Sequence, residues 1–171
     1  MGISSAEFRR ALGAFATGVT IITVSHESPG EASKIEGMTA NAFTSVSLDP
    51  PLVLVCVDHD ARTHAHLHAR KRFGINVLAE SQTAISKYYA DPARTPSLTH
   101  DRAEAEAGAR FSHTQHGTPI LDEAIAYLEC RLQTTYEAGD HTIFIAEVEE
   151  VVLREGEPLI WFRGKYRKMG E

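Results

Sequence analysis

The sequence predicts a mainly β protein in which an antiparallel sheet closes into a barrel, with two or three short helices beside it. About seven segments have the composition of β-strands. These segments mostly follow one another without an intervening helix, which favours an antiparallel barrel over a doubly wound fold. The 171 residues contain no internal repeat and no linker, and they suffice for one hydrophobic core. We therefore expect residues 1–171 to form a single domain.

The chain begins with a predicted amphipathic helix over about residues 5–15. Ser4 and Glu7 have the spacing of a capping box, in which each side chain bonds a backbone N–H at the helix start. The apolar face comprises Phe8, Ala11, Leu12 and Phe15. Thr17-Gly18 is expected to end the helix.

A strand, a turn and two further strands are predicted next. Residues 19–24 are all β-branched, which favours a strand. Residues 26–36 are polar and contain Pro29-Gly30, which predicts a turn or hairpin loop. Residues 43–48 alternate apolar and hydroxylated side chains, and residues 52–57 form the continuous apolar run of a buried strand.

Uncharged polar groups are dense in the segment from Gly37 to Ser47, just before the buried strand. These groups belong to Thr39, Asn41, Thr44, Ser45 and Ser47. A solvated surface usually carries Lys and Glu, whereas a core strand usually carries Val and Ile. The segment therefore suits a neutral, flat ligand with polar edges. An ordinary edge strand rich in Thr and Ser is the alternative interpretation.

The middle of the chain predicts two short helices separated by a strand. Thr63 is placed to cap a helix over residues 64–70, and Ser81 is placed to cap the following helix. Residues 73–79 lie between them and have the composition of a strand. Residues 91–119 are polar and weakly patterned, which indicates a mobile lid or a disordered loop.

The C-terminal part predicts a long hairpin and one more strand. Residues 128–136 alternate cleanly and pair with residues 141–153 across a tight turn. Glu149-Glu150 shifts the alternation, so a bulge or bend is expected there. Residues 158–162 form the last predicted strand, and residues 163–167 follow as a basic and aromatic tail.

Composition restricts the class of protein. The formal net charge of −6 argues against non-specific nucleic-acid binding, which requires a basic face. No apolar run has the length of a membrane span, and the N-terminus lacks the apolar region of a signal peptide, so a cytoplasmic location is expected. Cys56 and Cys130 both lie in apolar runs, which favours two buried thiols in a reducing compartment. A disulfide between them is left open.

Several familiar catalytic motifs are missing from the sequence. There is no G-x-G-x-x-G, no G-x-x-x-x-G-K-[ST] and no G-x-S-x-G, so neither a Rossmann site nor a serine hydrolase is supported. His64 and His68 are spaced to share one helix face, with His66 pointing elsewhere. No further ligand pattern completes a site, so no metal is expected and a solvated, His-rich helix is favoured. A His-rich metal-binding protein remains an alternative.

Two C-terminal features suit a bound ring. His141, in Gly139-Asp140-His141, places an imidazole at the rim of the predicted barrel, as an orienting group, a proton donor or simply a turn residue. The segments 161–164 and 165–167 put aromatic faces beside positive charge, which suits stacking and phosphate pairing. Positive or hydroxyl groups for a phosphate are also supplied by Arg62, Thr63 and Lys87.

Six motifs in register resemble one family. They are F-A-T-G-V-T at residues 15–20, G-M-T-A-N-A-F-T-S-V-S-L-D-P-P-L-V at 37–53, F-G-I-N-V-L at 73–78, L-E-C at 128–130, A-G-D-H-T at 138–142 and F-R-G-K-Y at 162–166. Together they look like the short-chain flavin reductases of two-component flavin monooxygenases. The resemblance covers about residues 8–166.

This resemblance implies a split β-barrel of Greek-key-like type that forms a homodimer. It also implies that NADH or NADPH reduces FMN or FAD by hydride transfer, and that reduced flavin passes to a separate monooxygenase component. The cofactor carries this chemistry, so no protein nucleophile is required. A flavin-binding or electron-transfer protein on the same barrel, without reductase activity, is the alternative.

The resemblance also implies which residues contact each ligand. Flavin contacts are Gly37, Met38, Thr39, Ala40, Asn41, Ala42, Ser45, Ser47, Cys56, Val57, Arg62 and Thr63, with Lys87 as a further phosphate contact. Nicotinamide contacts are His141, Trp161, Phe162, Arg163, Gly164 and Tyr166, and His141 is the candidate catalytic residue. Ala42 departs from the family pattern, in which many members have Ser, so one hydrogen bond to the flavin is expected to be absent.

Overall fold

The computed structural model describes residues 2–26, 34–94 and 106–170. Within these residues the helices are α1 (Ser5–Leu12), α2 (Arg62–Arg70) and α3 (Thr83–Ala90), and a 3₁₀ helix spans Glu80–Gln82. The strands are β1 (Thr17–Gly18), β2 (Thr20–His26), β3 (Lys34–Ala40), β4 (Phe43–Leu48), β5 (Pro51–Asp58), β6 (Arg72–Val77), β7 (Phe111–His113), β8 (Pro119–Leu121), β9 (Ala126–Ala138), β10 (His141–Leu153), β11 (Ile160–Phe162) and β12 (Lys165–Arg167).

Seven of these strands form one antiparallel sheet in the order β3-β2-β6-β9-β10-β5-β4. In the described residues its two edge strands, β3 and β4, are not paired with each other. Met38 and Ala40 of β3 nevertheless pack in the same core as Val53 and Val55 of β5. The sheet therefore curls around one core without closing. This confirms the mainly β, antiparallel split barrel that the resemblance implies, whereas the closed barrel expected from the strand order is not observed in the described residues.

Strand β2 is buried on both faces and separates two hydrophobic cores. Side chains alternate across a strand, so Ile22 points into the barrel core with Phe73 and Phe144. Ile21 points the other way, into a second core that includes Leu78 and Tyr89. Both isoleucines are fully buried. The second core is what holds α3 against the outside of the sheet.

Helix α1 has the predicted capping box. The Ser4 hydroxyl accepts a hydrogen bond from the Glu7 backbone N–H at 3.2 Å, and the Ser4 N–H donates to the Glu7 carboxylate at 3.1 Å. The helix ends at Leu12, earlier than predicted, because Gly13 follows. Its apolar face is not covered within the chain, since Phe8, Leu12 and Phe15 are all exposed. None of the described helices is long and apolar enough to cross a membrane.

Replacing Ser4 by alanine should cost about 1 kcal/mol of local helix stability, because one backbone N–H in the first turn loses its partner. We expect faster amide hydrogen exchange in α1 and little change in the melting temperature of the barrel. The matched control is Ser5→Ala, which leaves the capping residue in place. Equal exchange rates in both variants would contradict a role for the capping box.

Two predictions around β1 and β3 are wrong. The turn expected over residues 26–36 reaches too far, since β3 begins at Lys34 and pairs with β2. Because Lys34 and Glu36 are charged, the composition of this segment did not predict a strand. Thr17-Gly18 does not simply end a helix but forms β1, which pairs with β11. Residues 27–33, with Pro29-Gly30, lie outside the described residues.

Both predicted helix caps in the middle of the chain are also wrong. The capping position of α2 is Ala61, which has no side-chain hydrogen bond, and Thr63 lies inside the helix instead. The Thr63 hydroxyl faces β3, where it donates to the Met38 sulfur at 2.9 Å. Ser81 lies within the 3₁₀ helix, and Gln82 occupies the capping position of α3.

The predicted loop over residues 91–119 is wrong in its second half. Strands β7 and β8 pair there as a small hairpin, and Phe111 packs against the second core. Residues 95–105 lie outside the described residues. The basic and aromatic tail also folds back as β12, because Arg163 and Gly164 both adopt positive φ in the turn after β11.

The long C-terminal hairpin is confirmed, as is its irregularity. Strands β9 and β10 pair along most of their length, with register shifts after Ile145 and after Val148. The second shift is the bulge predicted from Glu149-Glu150. Cys56 and Cys130 are both unbonded thiols, and burial raises the pKa of each.

Candidate functional site

Two adjoining cavities lie beside β3 and share Thr39 and Ala90 in their walls. The larger has a volume of about 400 Å³ and includes four other residues predicted from the sequence, Gly37, Met38, Arg62 and Thr63. The smaller has a volume of about 230 Å³ and includes a further three, Asn41, Trp161 and Tyr166. The structure therefore brings predicted flavin and nicotinamide residues together around one strand.

Gly37 allows β3 to approach α3 closely at the larger cavity. A Cβ added at Gly37 would lie 2.8 Å from the Cε1 atom of Tyr89. Real Cβ contacts are essentially never that short, so any side chain here would push the tyrosine ring away. The absence of a side chain at Gly37 therefore lets Tyr89 pack directly against β3 in the cavity wall.

Three hydroxyl groups connect β3, α3 and β12 around the smaller cavity. The Thr39 hydroxyl donates to the Ser86 carbonyl at 2.6 Å, and the Ser86 and Tyr166 hydroxyls share a hydrogen bond of 2.9 Å. Trp161 packs edge-on against Tyr166 with ring centroids 4.9 Å apart. These contacts fix the aromatic wall relative to Thr39. Ser86 was not predicted, because its importance depends on contacts distant in sequence.

Asn41 adds an uncharged amide to the same wall. Its Nδ2 donates to the Thr17 hydroxyl at 3.3 Å, which leaves the amide oxygen as an acceptor beside the cavity. Val19 adds an apolar side chain to the lining of the same cavity. The smaller cavity thus combines apolar surface with neutral hydrogen-bonding groups, as the hydroxyl-rich sequence predicted.

The larger cavity has an ionic cluster that the sequence did not reveal. Arg94 is 7% exposed, and its Nη2 donates to the Glu36 carboxylate at 2.5 Å and to the Gly37 carbonyl at 2.8 Å. Arg62 also reaches Glu36, at 3.5 Å, and its Nη1 donates to the Arg94 carbonyl. Arg94 lies in the weakly patterned stretch after α3, so no motif could have identified it.

His141 begins β10 at the barrel rim, as predicted, and is near the larger cavity without lining it. Its backbone pairs with that of Asp58, which does line the cavity. The His141 Nδ1 lies 2.7 Å from the Asp140 carboxylate, and this hydrogen bond lowers the pKa of Asp140. The imidazole is 40% exposed, so it remains accessible to a ligand.

The other residues predicted to contact a ligand are not among the described residues that line either cavity. They are Ala40, Ala42, Ser45, Ser47, Cys56, Val57, Lys87, His141, Phe162, Arg163 and Gly164. Val57 is fully buried in the barrel core. Ser45 and Ser47 lie on β4, at the opposite edge of the sheet from β3. Their assignments as ligand contacts stay predictions.

The histidines of α2 pack against the barrel rather than pointing into solvent, which corrects the predicted solvated helix. His64 and His68 share one face and contact the Phe144 ring, while His66 stacks on His26. Burial, followed by the neighbouring His68 and His59, lowers the pKa of His64. In the described part of the chain, no three His, Cys, Asp or Glu side chains are arranged to hold a metal ion.

Comparison with known proteins gives consistent matches over nearly the whole chain. A family model described as flavin reductase like domain matches residues 12–170. An NADH-dependent FAD reductase from Streptomyces globisporus is 40% identical over 166 residues, covering 95% of this chain and 84% of that protein. The reductase component of a 4-nitrophenol 4-monooxygenase/4-nitrocatechol 2-monooxygenase from Rhodococcus opacus is 39% identical over 164 residues, covering 96% and 80%.

Solved structures give the same result at the level of the fold. BorF, the flavin reductase component of a bacterial two-component tryptophan halogenase, superposes with a TM-score of 0.86 at 36% identity. The superposition covers 98% of this chain and 99% of that one.

Proposed function

Since the chain belongs to the flavin reductase like family, we propose that it is an NAD(P)H-dependent flavin reductase that reduces FMN or FAD. The observation that carries this proposal is the pair of adjoining cavities that meet at Thr39. One is bordered by arginines and a helix N-terminus, and the other by aromatic rings and neutral polar groups. The whole chain acts as one domain in this proposal.

The residues of both cavities fit a flavin and a nicotinamide. Thr39 and Asn41 offer uncharged hydrogen-bonding groups that can meet the polar edge of an isoalloxazine ring without fixing a charge beside it. Trp161 and Tyr166 offer ring faces and edges for a second flat ligand. Arg62 and the start of α2 suit a phosphate, as anions bind favourably at helix N-termini.

A bound flavin supplies the hydride acceptor. The protein's own task is then to position two rings face to face and to exclude water from between them. Thr39, held by the Ser86 carbonyl, orients one ring, and the Trp161–Tyr166 pair orients the other. Gly37, Met38, Arg62 and Thr63 would hold the remainder of the flavin in the larger cavity.

Replacing His141 by alanine should slow hydride transfer about tenfold, because the resemblance assigns its imidazole to the nicotinamide, and it should leave flavin affinity nearly unchanged, because His141 does not line the larger cavity. Single-turnover absorbance measurements under anaerobic conditions report the transfer rate, and fluorescence titration reports flavin affinity. Asp140→Asn is the companion variant, since it removes the group that orients Nδ1. If His141→Ala lowers the melting temperature but leaves the rate of hydride transfer unchanged, the role of the histidine is purely structural.

Steady-state oxidation of NADH and NADPH, with FMN or FAD added, tests the proposed activity. We expect rates far above the background of free flavin with at least one combination. No acceleration with any of the four combinations would contradict the proposal. The same assay determines the preferred flavin and nicotinamide.

The partner in this proposal is a separate monooxygenase component that receives reduced flavin by diffusion. The support is the Rhodococcus opacus relative, which is a monooxygenase reductase component. A cytoplasmic location belongs to the same proposal, because the two unbonded cysteines suit a reducing compartment.

A homodimer is also part of the proposal. The uncovered apolar face of α1 and the exposed Leu48, Val151 and Leu153 offer hydrophobic surface that a second copy could bury. Light scattering coupled to size exclusion should therefore give twice the chain mass of 18.8 kDa. A monomer at micromolar concentration would contradict this part of the proposal.

A further inference from the structure

A chain of hydrogen bonds holds His64 of α2 against the barrel. The Nε2 atom of His64 lies 2.8 Å from the hydroxyl oxygen of Thr142, which is fully buried on β10. The same hydroxyl lies 3.1 Å from the carboxylate of Glu137 on β9. A carboxylate only accepts hydrogen bonds and the hydroxyl has one hydrogen to donate, so Thr142 donates to Glu137 and accepts from His64. His64 therefore carries a hydrogen on Nε2.

The other neighbours of His64 make a positive charge on its ring unfavourable. The ring centroids of His68 and His59 lie 4.9 and 5.4 Å from that of His64, and the Phe144 ring packs edge-on at 5.5 Å. Burial, followed by His68 and His59, lowers the pKa of His64. The packed helix thus binds an extra proton less readily than a loosened helix, in which the imidazole has its ordinary pKa of about 6.5. Packing of α2 therefore weakens as the pH falls through about 6.5.

Charged groups on the surrounding strands do not reverse this effect. Two carboxylates act to raise the pKa of His64, namely Asp58 of β5 and Glu137 of β9, but burial and the neighbouring imidazoles outweigh them. The charged and titratable groups on the other strands that pack against α2 contact different partners: His26 of β2 stacks on His66, Glu36 of β3 pairs with Arg62 and Arg94, and Arg72 of β6 pairs with Glu149.

The position of α2 depends on its packing against the barrel, and the start of the helix belongs to the larger cavity. The helix has nine residues, and its capping residue Ala61 makes no side-chain hydrogen bond. Isolated helices of this length are marginal in water, so tertiary contacts have to hold α2 in place. Ala61, Arg62 and Thr63 line the larger cavity, and His64 follows them directly. A loosened helix therefore disturbs the cavity wall.

We propose that His64 is a pH-sensitive positioning residue for the larger cavity. Its neutral imidazole docks α2 on the barrel and keeps the cavity wall in place, whereas its protonation loosens the helix and weakens flavin binding. The proposal rests on the proposed flavin reductase function and adds regulation by pH to it. A fall from about pH 7.5 to about pH 5.5 should shift the opening equilibrium of α2 towards the loosened helix by up to about tenfold.

Hydrogen exchange of the α2 amides and fluorescence titration of FMN and FAD, each at about pH 7.5 and about pH 5.5, test the proposal. In wild-type protein, the protection of α2, corrected for intrinsic exchange rates, and the flavin affinity should both fall in acid by up to about tenfold. His64→Gln keeps a donor for Thr142 but cannot be protonated, so both quantities should stay nearly constant. His64→Ala lacks the donor and should show low protection and weak flavin binding at both pH values.

His66→Gln is the matched control, because His66 lies on the same helix but stacks on His26 instead of contacting Thr142. This variant should keep the pH dependence of the wild type. The phosphate of FMN itself titrates near about pH 6, so each variant is compared with the wild type at the same pH.

Several results would overturn the proposal. One is protection of α2 that does not change with pH, and another is an equal change in wild type and His64→Gln. A helix that loosens in acid without any loss of flavin affinity would also overturn it, because the cavity would then not depend on His64. Wild-type protein that binds flavin with the expected pH dependence but does not oxidise NADH would contradict the proposed function and leave the role of His64 intact.

Discussion

Replacing Glu129 by alanine is expected to lower the free energy of unfolding by about 3–5 kcal/mol, as for other buried charges that lose their network. Glu129 is fully buried in β9, and its carboxylate accepts hydrogen bonds from Thr118 at 2.5 Å and Thr114 at 2.9 Å. His116 Nδ1 lies 3.1 Å from it, and Arg72 lies 3.8 Å away. Alanine removes the acceptor of the Thr114 and Thr118 hydroxyls and the partner of the His116 ring, whereas Arg72 keeps its ion pair with Glu149.

This carboxylate fixes the β7–β8 hairpin to the barrel, because Thr114, His116 and Thr118 all belong to the hairpin loop or its end. We therefore expect faster proteolysis and hydrogen exchange in residues 111–121 of the variant, alongside the lower urea midpoint. Glu123→Ala is the matched control, since that glutamate is exposed and pairs with Arg110. A similar loss of unfolding free energy in both variants would show that the Glu129 hydrogen-bond network does not stabilise the fold.

The stability contributed by Glu129 should depend on pH. Burial raises its pKa, but the hydrogen bonds from Thr118, His116 and Thr114 together outweigh burial, and the net pKa lies below the ordinary 4.5. A carboxyl with a lowered folded-state pKa stabilises the fold above its unfolded-state pKa and loses this contribution as the pH falls through the folded-state value. The difference in the free energy of unfolding between wild type and Glu129→Gln should therefore become smaller as the pH falls below about 4.5.

Replacing Trp161 by alanine is expected to lower kcat/KM for NADH about 30-fold, which corresponds to about 2 kcal/mol. The indole lines the smaller cavity and packs edge-on against Tyr166, so its loss removes the stacking surface and frees the tyrosine. Trp161→Phe retains an aromatic face and should recover most of the activity. Flavin affinity should change less than kcat/KM for NADH in both variants, because Trp161 does not line the larger cavity, to which we assign most of the flavin.

Equal losses of NADH and flavin affinity in Trp161→Ala would contradict the assignment and make the indole a general part of the scaffold. Strand β1 offers a structural check, because Thr17 pairs directly with Trp161. An unchanged circular dichroism spectrum and melting temperature would show that the β1–β11 pairing survives the substitution.

The barrel strands could be predicted where their side chains follow one simple pattern. Strand β5 has a continuous apolar run and was predicted to within one residue at each end, and strand β9 has a clean alternation and was predicted to within two. Strand β3 was missed because it contains the charged Glu36, which is buried against Arg94, 58 residues further along the chain, and Arg62. Such a pair has no local signature in the sequence.

Site residues, like strands, could be predicted where the pattern is local in sequence and not where it depends on distant partners. Thr39, Asn41 and Arg62 belong to polar patterns that are local in sequence, and the structure places all three on the two cavities. Ser86 and Arg94 contribute through partners on other elements and could not be predicted. Ser45 belongs to the same local polar pattern, but its strand β4 is the opposite edge of the sheet from β3, and it lines neither cavity.

Anaerobic mixing of the flavin-loaded protein with NADH tests the central claim most directly, because it separates a reductase from a protein that only binds flavin. We predict that the absorbance of oxidised flavin is bleached within seconds, in a reaction whose rate rises with NADH concentration and then saturates. A stable yellow complex that NADH does not bleach faster than it bleaches free flavin would contradict the account and support a flavin-binding or electron-transfer role.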